Sequence, residues 1–307
     1  MDWMSAPNPY SGMGGASVDI PDHVELSDVP DPSSSLVHLG VNADGPESVD
    51  LDSESPHILV NAPTGQGKSA VARSIAVQRL SLGDLVVILD RKMHSHRWAY
   101  GLEPVTHYAD DEPSIGAALV NLGRELHRRN QVVKAHEGQV GNAPVGPRVI
   151  VLFEETNATL SRLAALDKGM VGGGYGALDA FRDLMFMGRA VQMHVIAFAQ
   201  LASYRSGLTA DLIENFGTKV LIGYSSKAWK WLADDCGKYR VAPSGVGRSM
   251  VCRAGRARET QLVWVEEESA RESVLDALPA QKRARELAGT RHRTPAVWKR
   301  TARQITR

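Results

Sequence analysis

The stretch of sequence that decides the fold runs from residue 57 to residue 70 and reads HILVNAPTGQGKSA. Its first residues are apolar and partly β-branched, which is typical of a short buried strand. Gly65 and Gly67 then permit a sharp turn, and residues 69–82 have the composition of a helix. The stretch therefore predicts a strand, a tight loop and a helix in direct succession.

The loop of this stretch carries groups suited to binding nucleotide phosphates. A helix N-terminus attracts anions, Lys68 offers a point charge to the β- and γ-phosphates, and the Ser69 hydroxyl is a ligand for Mg²⁺. Ala62 stands where the pattern usually has its first glycine, and a purely structural turn is the alternative interpretation. The predicted ATP-binding residues are Ala62, Pro63, Thr64, Gly65, Gln66, Gly67, Lys68, Ser69 and Ala70. We also predict a catalytic role for Lys68.

Similar apolar runs recur along the chain, at residues 85–90, 148–154, 194–199 and 219–224. Helical segments, such as 113–133 and 177–190, lie between them. Because the runs are continuously apolar, they indicate a mostly parallel sheet covered by helices on both faces. A short strand is also expected at 105–108. Residues 249–253 and 260–266 are expected to form an antiparallel hairpin that closes one edge.

The composition restricts the class of protein. With 307 residues, 43% of them hydrophobic, the chain can form one sizeable core. Cys236 and Cys252 show no CxxC spacing and no secretory leader is visible, which argues against a disulfide framework and a zinc site. No apolar run approaches the roughly 18 residues that span a bilayer. We therefore expect a cytoplasmic protein without a membrane-spanning segment.

The charges are balanced in number, 35 basic against 35 acidic, but they are unevenly distributed. No Lys or Arg precedes Lys68, and residues 1–35 are rich in Gly, Pro, Ser and Asp, so we predict a flexible acidic arm there. Residues 266–307 are predicted to form a basic helical tail, which either binds a polyanion or is simply solvated. Residues 36–265 are predicted to form the nucleotide-hydrolysing domain.

The run RVIVLFEETN, residues 148–157, contains two adjacent carboxylates, Glu154 and Glu155. A nucleotide hydrolase needs one carboxylate near Mg²⁺ and another to orient the attacking water, both at the carboxyl end of a strand. We predict that Glu154 joins Ser69 as a metal ligand and that Glu155 acts in catalysis. A glycosidase-like pair is disfavoured because adjacent strand residues point to opposite faces.

Two further polar residues flank the apolar run at 194–199. Gln200 follows it and is predicted to act in catalysis by sensing the γ-phosphate or the water. Arg189 precedes it and is either an arginine finger for a neighbouring subunit or a cap of the preceding helix. One group of histidines lacks a carboxylate or cysteine partner at a recognised spacing and is interpreted as lying on the surface: His94, His96 and His107.

Together these motifs resemble the motor domain of the FtsK/SpoIIIE-type DNA translocases, from about residue 40 to residue 255. SPHILVNAPTGQGKS is similar to the strand and phosphate loop of that family, LVVILDRK to its second strand, and RVIVLFEE to its acidic strand. GRAVQMHVIAFAQ and KVLIGYSSKAWKWLADDCG resemble the two strands that follow. The chain departs from the family at Ala62, at Glu154 and at Trp231, where an arginine would align; Lys230 is a candidate substitute.

The resemblance implies a RecA-like α/β fold of the P-loop NTPase class that hydrolyses ATP with Mg²⁺ and moves double-stranded DNA. It implies a homo-oligomer, commonly a hexameric ring, in which Arg189 or Lys230 completes the site of a neighbouring subunit. A compact member of this kind is similar to those of actinobacterial plasmids, integrative elements and phages, where it would serve DNA transfer or segregation. Peripheral association with a membrane partner is compatible with this. The glycine-rich residues 169–178, beside Lys168, are a candidate pore loop or a plain connection.

Two other functions are compatible with the same motifs. An FtsK-like ATPase can act on a polypeptide during secretion or assembly, in which case DNA would not stimulate hydrolysis. A nucleotide-binding switch without motor activity is the second, because Glu154 stands where aspartate is commoner. A small-molecule kinase is less favoured, since no arginine-rich lid segment is visible.

Overall fold

The computed structural model describes residues 19–53, 55–92, 94–102, 106–138, 141, 143–168, 174–200 and 207–287. The strands are β1 (Leu36–Asn42), β2 (Gly45–Asp50), β3 (Ile58–Asn61), β4 (Leu85–Leu89), β5 (Thr106–Ala109), β6 (Val149–Phe153), β7 (Met193–Ala199), β8 (Thr218–Leu221), β9 (Arg248–Arg253) and β10 (Arg256–Leu262). The helices are α1 (Lys68–Ser81), α2 (Glu112–Ala135), α3 (Thr156–Lys168), α4 (Ala177–Met187), α5 (Ala210–Glu214), α6 (Ser226–Leu232) and α7 (Glu267–Leu287).

Within these residues the strands form one sheet in the order β2-β1-β10-β9-β8-β3-β7-β6-β4-β5. The strands from β8 to β5 run parallel to their neighbours, whereas β9, β10, β1 and β2 continue the sheet in antiparallel pairs. Strand β3 lies inside the parallel part, between β7 and β8. Because parallel strands end at the same edge, the residues that follow β3, β4, β6 and β7 are brought to one side of the molecule.

Helices cover both faces of the sheet. On one face α2 and α4 bury Leu119 and Phe181 against Phe153 of β6, and on the other α1 and α7 bury Ile75 and Val274. Strands β6 and β7 are buried at every position, as coverage on both sides requires. The predicted α/β fold, with a mostly parallel sheet between two helical layers, is confirmed.

The predicted hairpin is formed by β9 and β10, but it does not close the edge of the sheet. Strands β1 and β2, which the sequence analysis did not predict, form a second hairpin outside it. The turn between them ends at Gly45, whose φ of 114° suits glycine. The predicted strand at 105–108 corresponds to β5.

Residues 19–35 differ from the predicted flexible arm. Val24 is fully buried in the core that α1 covers, and its carbonyl oxygen accepts the Trp264 N–H at 2.7 Å. The buried Arg79 guanidinium donates to the Ser34 carbonyl oxygen at 2.8 Å. The prediction is wrong for these residues because the folded core binds their backbone. The rest of the predicted arm, residues 1–18, lies outside the described residues.

Helix α7 packs against the same core as the sheet. Ala270 and Val274 are fully buried, and Arg73 of α1 donates to the Val265 carbonyl oxygen at 2.6 Å and pairs with Glu267 at 3.1 Å. Residues 267–287 of the predicted tail are helical, but the boundary predicted after residue 265 lies directly before a helix that packs against α1. The tail beyond residue 287 lies outside the described residues.

At Gly40 the backbone of β1 lies close against that of β10. An added Cβ would lie 1.9 Å from the Gln261 carbonyl oxygen and 2.9 Å from Leu262 Cα, and neither backbone atom can rotate away. We expect Gly40→Ala to lower the free energy of unfolding by about 3 kcal/mol, measured by urea unfolding. Gly141→Ala is the control, because a Cβ there would meet no atom of the described residues within 4 Å. Equal stability of the two variants would show that the strands separate at no cost.

Candidate functional site

The loop between β3 and α1 has the backbone that its glycines predict. Gly65 has a φ of 78° and Gly67 a φ of 85°, both in the left-handed region that favours glycine. The hydrogen bonds of α1 begin with Ala70 N and Val71 N, which both donate to the Gly67 carbonyl oxygen. The N–H groups before them are those that a helix N-terminus offers to an anion.

The Lys68 side chain lies along the inside of this loop. It is only 7% exposed, and its Nζ donates to the carbonyl oxygens of Ala62 at 2.7 Å and Pro63 at 2.9 Å. Burial lowers the pKa of the Lys68 ammonium, and the negative charge of Glu154 opposes this shift. The loop therefore holds a positive charge close to the acidic end of β6.

The residues after β3, β6 and β7 are in contact, as their strand order requires. Thr64 Oγ1 donates to Gln200 Oε1 at 3.4 Å, and Gln200 Nε2 donates to Glu155 Oε1 at 3.2 Å. Gln200 is exposed, and the Glu155 side chain is 16% exposed. The structure thus joins the phosphate loop, the candidate sensor and the candidate catalytic carboxylate in one connected chain of hydrogen bonds.

Two basic residues that the sequence analysis gave no role contact Glu155. Lys92 Nζ lies 2.6 Å from Glu155 Oε1, and an Arg91 amino group lies 3.8 Å from Oε2. Both residues follow β4, the strand beside β6. Glu155 has a φ of 48°, in the left-handed region, so the chain turns sharply at the end of β6. This turn separates the surroundings of Glu155 from those of Glu154.

Glu154 is 3% exposed and accepts a hydrogen bond from a histidine. His96 Nε2 lies 2.9 Å from Glu154 Oε1, and the His96 side chain is fully buried. The prediction of a surface residue is therefore wrong for His96, because β4 and β6 are neighbours and the chain after β4 folds back over the end of β6. His94 is exposed, as predicted. The His107 side chain lies outside the described part.

The segment that supplies Lys92 and His96 is held by Asp90, the first residue after β4. The Asp90 carboxylate is fully buried and accepts hydrogen bonds from Lys92 N at 3.0 Å and from Ser95 N at 2.9 Å. A carboxylate that binds backbone N–H groups in this way fixes a turn. Asp90 therefore sets the path that brings two basic side chains to the acidic pair.

Mg²⁺, which the fold class implies, fits the donors at this edge of the sheet. Ser69 in the first turn of α1 offers a hydroxyl oxygen and Glu154 a carboxylate oxygen, the ligand type that Mg²⁺ prefers. Among the residues that the structure describes, no group of three or more His, Cys, Asp or Glu side chains could hold a metal by itself. Such a sparse protein contribution is usual where substrate phosphates and water complete the Mg²⁺ shell.

Arg189 and Lys230, the two residues that could complete the site of a neighbouring subunit, lie at opposite ends of the strands. Arg189 is in the turn before β7, at the edge away from the phosphate loop, and donates to the Ser53 carbonyl oxygen at 3.3 Å. Lys230 is exposed on α6, which follows β8 at the same edge as the loop. Between β8 and α6, Gly223 lies against Gln66, so α6 begins beside the loop. Of these two candidates, Lys230 lies near the phosphate loop of its own chain and Arg189 does not.

The structure describes only the C-terminal half of the candidate pore loop, residues 174–178. Residues 169–173 and the Lys168 side chain lie outside the described residues. The Tyr175 ring occupies the space beside Gly123 of α2, and its hydroxyl donates to Asp183 at 2.8 Å. The chain is therefore anchored to α2 and α4 where it leaves the glycine-rich segment.

Comparison with known proteins gives structural neighbours but no sequence match. No family model matches the chain, and no curated protein matches it. The pCW3 conjugation coupling protein TcpA, in a monomer form with ATPgS, superposes with a TM-score of 0.66 at 18% identity, covering 84% of this chain and 74% of that one. EssC (ATPases 2 and 3) from Geobacillus thermodenitrificans gives 0.63 at 15% identity, covering 87% and 52%.

A third similar structure is Thermomonospora curvata EccC (ATPases 2 and 3) in complex with a signal sequence peptide. Its TM-score is 0.57 at 16% identity, and 80% of this chain covers 44% of that one. The chain thus spans about half of the EssC and EccC chains. The fold is shared with these three structures, as the sequence resemblance implied. No helix in the described ranges has both the length and the apolar character needed to cross a bilayer.

Proposed function

We propose that the chain is a Mg²⁺-dependent ATP hydrolase that uses the hydrolysis to move double-stranded DNA. The observation that carries the hydrolase assignment is the pair of contacts made by Gln200. Its side chain bonds to Thr64 of the phosphate loop and to Glu155 at the end of β6. A side chain that contacts both the phosphate loop and the catalytic carboxylate can link the bound nucleotide to the activation of the attacking water.

Each residue of the site has a defined part in this proposal. The backbone from Ala62 to Ala70 binds the phosphates, and Lys68 neutralises charge that develops on them. Ser69 and Glu154 hold Mg²⁺, which neutralises charge on the phosphate oxygens when bound. Glu155 orients the attacking water. Its contacts with Lys92 and Gln200 hold the carboxylate next to the phosphate loop.

The DNA substrate and the assembly rest on resemblance. TcpA is named a conjugation coupling protein, and the sequence motifs are similar to those of DNA translocases. We propose a cytoplasmic homo-oligomer, a hexameric ring around duplex DNA, serving DNA transfer or segregation of a plasmid, phage or mobile element. In the ring, Lys230 or Arg189 would reach the nucleotide of the next subunit.

A polypeptide substrate is the second candidate. It is favoured by the similarity to EccC, whose structure holds a signal sequence peptide. The two candidates share the ATP site and differ in what stimulates it. DNA contact through phosphates is independent of sequence and weakens steeply as salt concentration rises.

The test is ATP hydrolysis by purified protein with and without long duplex DNA, at low and at moderate salt. The proposal expects stimulation by DNA that declines with salt. Hydrolysis without DNA stimulation would favour the polypeptide substrate, to be tried next with candidate secretion-signal peptides. Tight ATP binding without turnover under any of these conditions would contradict the hydrolase and indicate a nucleotide switch.

A further inference from the structure

His96 and Glu154 form a buried pair beside the phosphate loop. The His96 side chain is fully buried and that of Glu154 is 4% exposed. A carboxylate removed from water in this way needs hydrogen bonds to keep its charge and its orientation. His96 Nε2, 2.9 Å from Glu154 Oε1, supplies one of them.

The neighbouring tryptophan determines which nitrogen of His96 carries the proton. Trp98 Nε1 lies 3.4 Å from His96 Nδ1, and an indole nitrogen can only donate. Nδ1 must therefore be the accepting nitrogen, which places the imidazole proton on Nε2. The His96 Nε2–H consequently points at Glu154.

The backbone around His96 is fixed by contacts from two directions. Ala99 N donates to the His96 carbonyl oxygen at 3.0 Å, which closes a tight turn. Arg271 of α7 donates to the carbonyl oxygens of Trp98 at 2.9 Å and Tyr100 at 2.8 Å. The backbone of the turn that carries His96 is thus held by its own hydrogen bond and by helix α7.

We propose that His96 is a positioning residue of the nucleotide site, whose Nε2–H holds the Glu154 carboxylate in the orientation that binds Mg²⁺. The inference rests on the proposed function, because Glu154 is a metal ligand only in a Mg²⁺-nucleotide site. Hydrogen bonds to ligating side chains fix their geometry, and removing them typically weakens metal affinity by about 10- to 100-fold. A histidine that merely filled space would leave Mg²⁺ affinity unchanged.

The test compares His96→Leu with His96→Gln by nucleotide binding, without turnover. The Gln side chain retains an N–H donor near the position of Nε2, whereas Leu keeps the volume and removes the donor. We measure the affinity for a fluorescent non-hydrolysable ATP analogue with excess Mg²⁺ and with EDTA. The expected result is that His96→Leu loses about 10-fold or more of the Mg²⁺-dependent gain in affinity, whereas His96→Gln retains most of it.

The variant Trp98→Phe keeps an aromatic ring and removes the N–H that directs the tautomer. It is expected to lose part of the Mg²⁺ effect, and it tests the inference if His96→Leu does not fold. Full retention of the Mg²⁺ effect in folded His96→Leu or in folded Trp98→Phe would overturn the inference. Equal losses of affinity with Mg²⁺ and with EDTA would overturn it as well. A wild-type protein that binds the analogue no better with Mg²⁺ would instead refute the proposed function.

Discussion

Replacing Lys68 with alanine is expected to lower the rate of ATP hydrolysis by about 100- to 1,000-fold, the usual cost of removing one preorganised group that stabilises transition-state charge. Lys68 is buried inside the loop, and its ammonium donates to the carbonyl oxygens of Ala62 and Pro63. A charge held there by the fold needs little reorganisation when negative charge develops on the phosphates. The measurement is steady-state hydrolysis in the presence of DNA.

The control for this experiment is Lys134→Ala, which removes an exposed lysine from α2. We expect this variant to hydrolyse ATP at the wild-type rate. Thermal unfolding of both variants separates loss of activity from loss of fold. If Lys68→Ala retained more than about a third of the wild-type rate while folded, the loop would not be part of the catalytic apparatus.

The substitution Glu155→Gln is expected to slow hydrolysis by about 100- to 10,000-fold, the range for loss of a general base, while ATP binding is retained. Glutamine has the shape of glutamate, and its amide oxygen can still accept the hydrogen bond from Gln200. It cannot accept a proton from the attacking water. The lost ion pair with Lys92 is partly exposed and should alter the free energy of unfolding by less than about 1 kcal/mol. Single-turnover hydrolysis together with ATP binding measures the two effects separately.

The matched control is Glu112→Gln at the start of α2. Glu112 pairs with Arg91 at 3.4 Å and with Arg162 at 3.2 Å, so it shares one basic neighbour with Glu155 but does not contact Gln200. Its neutralisation should leave hydrolysis close to the wild-type rate. Similar losses from both variants would mean that the net charge around Arg91 matters and that the position of Glu155 does not.

The part of the site that follows from strand ends could be predicted from sequence. Continuous apolar runs indicate parallel strands, and parallel strands deliver the residues after them to one edge. The loop, Glu154, Glu155 and Gln200 are predicted in this way, and the structure brings Thr64 of the loop, Glu155 and Gln200 into contact. Their chemical roles stay predictions, since contact alone does not establish catalysis.

The residues that support this site could not be predicted in the same way. Lys92 and His96 reach the acidic pair because β4 lies next to β6, a neighbourhood set by crossover connections and not by chain order. The available signal was the polar segment DRKMHSH directly after the apolar run of β4. Spacing rules for metal sites rejected His96 because its carboxylate partner lies 58 residues further along the chain.

The first hairpin was missed because its pattern is concealed by buried polar residues. His38 and Asn42 of β1 and Glu47 of β2 are almost fully buried, so neither strand reads as an apolar run. Asn42 Nδ2 donates to Glu47 Oε2 at 2.6 Å across the hairpin, and Arg253 of β9 pairs with Glu47 at 2.9 Å. Such pairs form only after the sheet assembles, so local composition does not indicate them.

Helix α7 gives the chain a minimum length for an intact site. Arg271 braces the turn that carries His96, and Glu267 braces the helix that begins with Lys68. A truncated protein that stops at residue 265 would keep every strand and every proposed ligand, yet it would lose both braces. The same contacts connect α7 directly to the turn that carries His96, so the helix and the acidic pair are coupled without any contribution from the sheet.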